Sequence, residues 1–124
     1  MTSSDSVDRP SEFSVIETTI SEIHAAYAAR TLTCRRLVEM YLERIEKLDR
    51  SGPTINAIIS VNEKVLDQAQ ALDDAYATAG PVGPLHGIPI GMKDQMDVME
   101  MPTTMGSVLF EGHRPNRDSF VAAK

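Results

Sequence analysis

Few residues in this sequence combine a chemical capacity with a telling position. Lys93 and Asp94 follow directly on an apolar run, Ile88-Pro89-Ile90-Gly91-Met92. That run lies inside the stretch GPLHGIPIGMKDQMDVMEMPTTMGS, from Gly83 to Ser107. A lysine at the end of an apolar segment is an uncommon placement, because lysine is almost never fully buried unless it is paired. The residue types leave two readings open: Lys93 marks where the segment meets water, or its placement serves a function that position alone does not name. Thr103, Thr104 and Ser107 carry hydroxyls in a turn-like MPTTMGS run and read as turn residues. Ser107 has no histidine at a recognisable spacing, so nothing marks it as a nucleophile. Cys34 is the one cysteine. It excludes an internal disulfide and a cysteine-based metal cluster, and it reads as a small packed hydrophobe rather than a nucleophile. His24 has no second His, Cys or carboxylate at metal-ligand spacing and reads as a partly buried surface histidine. Met92, Met96, Met99, Met101 and Met105 crowd the lysine segment. They fill irregular gaps or form a flexible apolar lining for a pocket.

The elements that must position these groups follow from periodicity. Met1 to Phe13 is polar and predicts a disordered or loosely attached tail, with one domain over 14–124. Ser14 with Glu17 has the form of a capping box. Ile16, Ile20, Ile23 and Tyr27 then recur at helical spacing. Thr33 is the next cap. From Cys34 to about Leu48, the residues Leu37, Val38, Tyr41, Leu42, Ile45 and Leu48 form one apolar face. The charged residues opposite read as a solvated face, with Glu43–Lys47 as a favourable i,i+4 pair. Asp49-Arg50-Ser51-Gly52-Pro53 breaks the helix. INAIISV, from Ile55 to Val61, reads as a buried strand. A third helix is expected over 63–79, with Val65, Leu66, Ala69, Leu72 and Tyr76 inside and Gly80-Pro81 as its stop. The run at 88–92 reads as a second strand, with Pro89 at a start, edge or bulge. The order of elements predicts an α/β fold, with helices packed on a mixed sheet that is incomplete in this chain.

The literal residues add more. GPLHGIPIGMKD followed by MPTTMGS resembles the amidase signature family, whose members hydrolyse carbon–nitrogen amide bonds. The resemblance is weak from about Ile16 and strong from Gly83 to Ser107. It implies the N-terminal part of an amidase-signature fold. It also implies that Lys93 is the lysine of a Ser–cis-Ser–Lys triad, the one catalytic residue of that triad present here. The family's two serines stand in a Gly-Gly-Ser-Ser-Gly-Gly type of run, which this sequence lacks. Gln95 stands where the family usually has asparagine and does not touch the triad. In the implied mechanism the lysine accepts, as a neutral amine, a proton relayed from the nucleophilic serine. A free lysine has a pKa of about 10.4, so burial at a strand end, away from carboxylates, would be needed to favour the neutral form. Alternation along a strand would turn Asp94 away from the amine. No metal or organic cofactor is needed.

Composition sets outer bounds. The chain has 124 residues, 42% hydrophobic and 24% charged, with a formal net charge of -6. Such a balance disfavours nucleic acid or an anionic membrane as a partner. No stretch is apolar enough to span a bilayer and no secretory signal is seen, so the cytoplasm is the expected compartment; the resemblance, for its part, implies a small-molecule amide as substrate of the parent enzyme. Asp118 can cap a last helix that begins with Phe120, Val121 and Ala122 and is cut short at Lys124. The sequence therefore reads as the N-terminal portion of an amidase, expected to be inactive and poorly folded alone. Two alternatives remain: a non-catalytic remnant or interaction fragment, and part of a glutamyl-tRNA amidotransferase A-type subunit.

Overall fold

The computed structural model describes residues 12–124. Most of the expected tail, 1–11, lies outside them, while Phe13 packs against the core. Helix α1 spans Ile20–Ala28 and starts five residues later than the Ser14 signal suggests. Around its start the sequence offers two boxes of the form Ser/Thr-x-x-Glu, Ser14–Glu17 and Thr19–Glu22, and the second is the one used. Thr19 Oγ1 accepts the Glu22 amide at 3.2 Å, and the Glu22 carboxylate accepts the Thr19 amide at 2.7 Å. Two orphan donors of the first turn are thereby satisfied. The bond from the Thr19 backbone, and next the one the Thr19 hydroxyl donates, hold the Glu22 carboxyl below its ordinary range. Glu17 instead sits at φ 53° in the turn before the helix. Ile16 and Ile20 consequently point to water, and only Ile23 and Tyr27 of the expected stripe are buried.

Helix α2, Cys34–Arg44, begins where Thr33 predicts, with Thr33 Oγ1 accepting the Arg36 amide at 3.0 Å. It runs on into a π-helical stretch over Ile45–Arg50. Leu37, Val38 and Cys34 form its buried face. On the opposite face Glu43 pairs with Arg36 at 2.9 Å rather than with Lys47, and Arg36 also meets Glu12 and Glu39. Helix α3, Val65–Ala79, ends at Gly80 as expected and packs against α2. A 3₁₀ turn at Val108–Phe110 and a short α4, Phe120–Ala123, follow. Ser119, not Asp118, caps α4, and Asp118 instead accepts the Met99 amide at 2.7 Å. The core comprises Ile23, Ala26, Tyr27, Leu32, Cys34, Leu37, Val38 and Ala69, with Val65, Leu66, Leu72, Tyr76 and Ile88 packed on it.

The expected mixed sheet is absent: the described residues contain no strand, so the α/β assignment is corrected to an all-helical arrangement with extended segments. The physical reason is pairing. A strand is defined by a partner, and neither INAIISV nor IPIGM finds one. Residues 55–58 are instead tied to the end of the α2 extension. Asp49 is buried, and its carboxylate accepts the Ala57 amide at 2.6 Å and the Ile58 amide at 3.3 Å. The Leu48 and Asp49 carbonyls accept the Ile55 and Asn56 amides, each at 3.1 Å. Pro89 supplies no donor to the second segment. Both runs were expected to be buried, yet Ile55, Ile59 and Ile90 are 63%, 59% and 62% exposed.

Candidate active-site segment

The GPLHG turn that precedes the lysine segment is latched onto α1 and α2. His86 is buried, 3% exposed. Its Nδ1 accepts the Val82 amide at 3.1 Å, which leaves the proton on Nε2, 3.6 Å from Cys34 Sγ. The His86 carbonyl accepts from His24 Nε2 at 3.0 Å, which gives the half-buried His24 a structural partner. Next in sequence, Gly87 lies at φ 67°, a conformation that glycine adopts without strain. A Cβ at Gly87 would overlap Cys34 Sγ and press on the Tyr27 ring at 3.0 Å. The Tyr27 hydroxyl donates to the Gly87 carbonyl at 2.7 Å. Burial is the main cause that pushes the Cys34 thiol up to about 11, and burial likewise raises the Tyr27 phenol. A thiol so held is a packed side chain and not a nucleophile, because only the thiolate attacks.

From this latch the chain runs through Ile88, half-buried on the core, to Lys93. Lys93 is exposed, not buried at a strand end as expected. Among the described residues neither Lys93 nor Asp94 forms an ion pair. The Asp94 carboxylate is engaged within a turn, not placed by strand alternation. The Lys93 carbonyl accepts the Met96 amide at 2.9 Å, and the Asp94 carbonyl accepts the Met105 amide at 3.1 Å. The Asp94 carboxylate accepts the Thr104 amide at 3.0 Å and the Thr104 hydroxyl. The hydroxyl bond is the first cause that holds the Asp94 carboxyl below its ordinary range, with the Thr104 amide next.

The hydroxyls of MPTTMGS act on backbone. Thr104 Oγ1 accepts the Gly106 amide at 3.2 Å, and Ser107 Oγ accepts the Leu109 amide at 3.3 Å. Thr103 is buried with its hydroxyl unpartnered. Met99 and Met101 line a groove with Val61, Lys64, Arg114 and Pro115, but that groove does not take in Lys93. Among the described residues no group of three His, Cys, Asp or Glu could hold a metal ion. No helix among them is long and apolar enough to cross a membrane.

The family model described as Amidase matches residues 36–124, from the first turn of α2 through the GPLHG turn and the lysine segment. The chain belongs to the amidase family. It is 35% identical over 111 residues to the A-type subunit of a glutamyl-tRNA(Gln) amidotransferase from Streptomyces coelicolor, covering 89% of this chain and 22% of the relative. A protein of Arabidopsis thaliana named as a probable amidase is 36% identical over 119 residues, covering 92% of this chain and 22% of its own length. Among solved structures, a peptide amidase in complex with the competitive inhibitor chymostatin superimposes with a TM-score of 0.83 at 36% identity, over 86% of this chain and 22% of that one. The chain thus spans about a fifth of the length of the amidases it matches.

Sequence reasoning passed over three supports of this amidase segment. Asp49 read as part of a helix-breaking run, His86 entered only as a letter of GPLHGIPIGMKD, and Asp73 drew no reading. Asp73 in fact caps α2 from the neighbouring helix, accepting the Cys34 amide at 2.7 Å and the Arg35 amide at 3.0 Å. The one available signal was chemical type: a carboxylate within reach of a helix start is a ready acceptor for its free amides.

Proposed function

We propose that this chain is the N-terminal portion of an amide-bond hydrolase in which Lys93 is the general base of a Ser–cis-Ser–Lys triad. The observation that carries the reading is the place of Lys93. It ends GIPIGMK inside the family-matched residues, on backbone fixed by the latch before it and the turn after it. In this mechanism the nucleophilic serine attacks the amide carbon as its proton passes through the cis-serine to the neutral amine of Lys93. The proton then returns to the departing nitrogen as the carbon–nitrogen bond breaks, and water cleaves the acyl-enzyme. Both serines belong to residues outside these 124, so the chain alone is expected to be inactive. The amine must be neutral to serve as a base, and it is exposed here. The remainder of the parent enzyme therefore has to cover it. No organic cofactor or metal takes part in the scheme, and the substrate is a small-molecule amide.

The test is Lys93→Ala in the full-length enzyme. Removal of a general base costs about 10²–10⁴-fold in rate. A variant that keeps more than about a tenth of the rate, far short of that loss, would exclude the assignment. The chain of 124 residues should turn over no amide.

A second reading is favoured by a specific similarity. The relative in Streptomyces coelicolor, at 35% identity, is named as part of an amidotransferase. The parent would then release ammonia from an amide donor for transfer to aminoacyl-tRNA, with the same role for Lys93. A parent that purifies with partner subunits supports this reading; one that purifies alone and is active on simple amides supports the first.

A further inference from the structure

Asp94 is next to the proposed base and carries the charge that such a base can least tolerate. An anion within a few ångströms of an amine stabilises its protonated form. Asp94 and Lys93 are adjacent on a turn, so the carboxylate is within reach of the amine unless something else holds it. In this structure Thr104 holds it, through both its backbone amide and its hydroxyl. The Met105 amide, on the Asp94 carbonyl at 3.1 Å, closes the same turn from the other side. The groups that engage Asp94 are an uncharged hydroxyl and backbone amides. The nearby charged groups are engaged elsewhere in part: Glu100 pairs with Lys64 at 2.7 Å, and Asp118 accepts the Met99 amide. Asp97 and His113 meet this region through their backbone carbonyls, which accept the Ser119 and Thr103 amides.

We infer that Asp94 and Thr104 are a positioning pair for the amide-hydrolysing reaction: Thr104 sequesters the Asp94 carboxylate, which fixes the backbone under Lys93 and keeps an anion off its amine. The inference rests on the reading of Lys93 as the base. Neither residue touches substrate in it; both act through Lys93. The lowered Asp94 carboxyl agrees with this, since donors that bind the anion favour it.

The experiment is the pH profile of kcat/KM in the full-length enzyme, for wild type, Thr104→Val, Thr104→Ser and Asp94→Asn/Thr104→Val. Thr104→Val keeps the shape and removes the hydroxyl. It should move the acid limb to higher pH by about one unit, because a freed carboxylate shifts a neighbouring group by about that much or more. Thr104→Ser keeps the hydroxyl and should leave the limb in place. The double variant removes the anion and should return the limb toward wild type. A purely structural role would lower activity at every pH and move no limb. An unmoved limb in Thr104→Val, or no return in the double variant, overturns the inference. A second measurement stands apart from catalysis: the ¹³C-carboxylate titration of Asp94 in the full-length enzyme. Its midpoint should lie below that of an unstructured aspartate and rise in Thr104→Val. A wild-type midpoint at the unstructured value also overturns the inference. Retained activity in Lys93→Ala would instead remove the reading of the base, while the Asp94 titration would still report on the pair.

Discussion

The Tyr27 hydroxyl donates to the Gly87 carbonyl at 2.7 Å across 60 residues of sequence, in a buried setting. This bond ties the first helix to the turn that delivers the lysine segment. Edge-to-face contact of the Tyr27 and His86 rings, with centroids 6.4 Å apart, packs the same junction. The latch is therefore made of an aromatic hydroxyl, an imidazole, a thiol and a glycine, each closing a space that the others leave.

Gly87→Ala should open this latch. The new methyl meets Cys34 Sγ and the Tyr27 ring, and the residue must hold φ 67°. Overpacking costs about 1–3 kcal/mol, and the left-handed conformation adds about 1–2 kcal/mol for a residue with a Cβ. Amide exchange along Ile23–Tyr27 should accelerate at least tenfold, since about 1.4 kcal/mol corresponds to that factor. Unchanged protection in Gly87→Ala would show that the turn is not latched in solution.

Cys34 should resist thiol reagents at pH 8 and react stoichiometrically once the chain is unfolded in urea. Its side chain is buried, 2% exposed, and burial raises the thiol to about 11. The sign of the pH dependence follows. A raised native value means the folded state holds the proton more tightly, so this contribution to stability is complete below the unfolded value of about 8.5. It is lost as pH climbs from there through about 11. Comparing Cys34→Ala with wild type over that interval checks it: the alkaline loss of protection should be shallower in the variant. Rapid native labelling at pH 8 would contradict the buried thiol.

Asp73→Ala should fray the start of α2. Loss of a helix-capping acceptor costs about 0.5–2 kcal/mol, so exchange at the Cys34 and Arg35 amides should rise about two- to thirtyfold. The Arg36 amide, held by Thr33 within the same segment, should be affected less. Equal acceleration throughout α2 would point to global loosening instead of a lost cap.

These supports mark the boundary of what could be read from the sequence. Thr33 and Gly80 set helix ends through contacts within a few residues, so type and spacing sufficed. The faces of α2 and α3 were legible because helical periodicity reports burial directly. Ser14 and Thr19 offered the same capping signal, and only the packing of Ile23 and Tyr27 selects the second. INAIISV and IPIGM have the composition of strands, but composition cannot supply the neighbour that a ladder requires. Asp73 and His86 act on Cys34 over 39 and 52 residues, distances at which local pattern carries no information. Lys93 was legible as a position and not as an environment: its place in GIPIGMK was visible, while its exposure depends on what lies over it.

Among the described residues, every apolar side chain that forms the core or packs on it lies between Phe13 and Ile88. A ribosome that has released Ile88 has therefore released this whole hydrophobic interior, while Lys93 and its restraining turn at 104 are still to come. His86 and Gly87 are among the last residues made that close that interior. The lysine is made after every residue of that interior, and residues made later meet a surface they did not help to build.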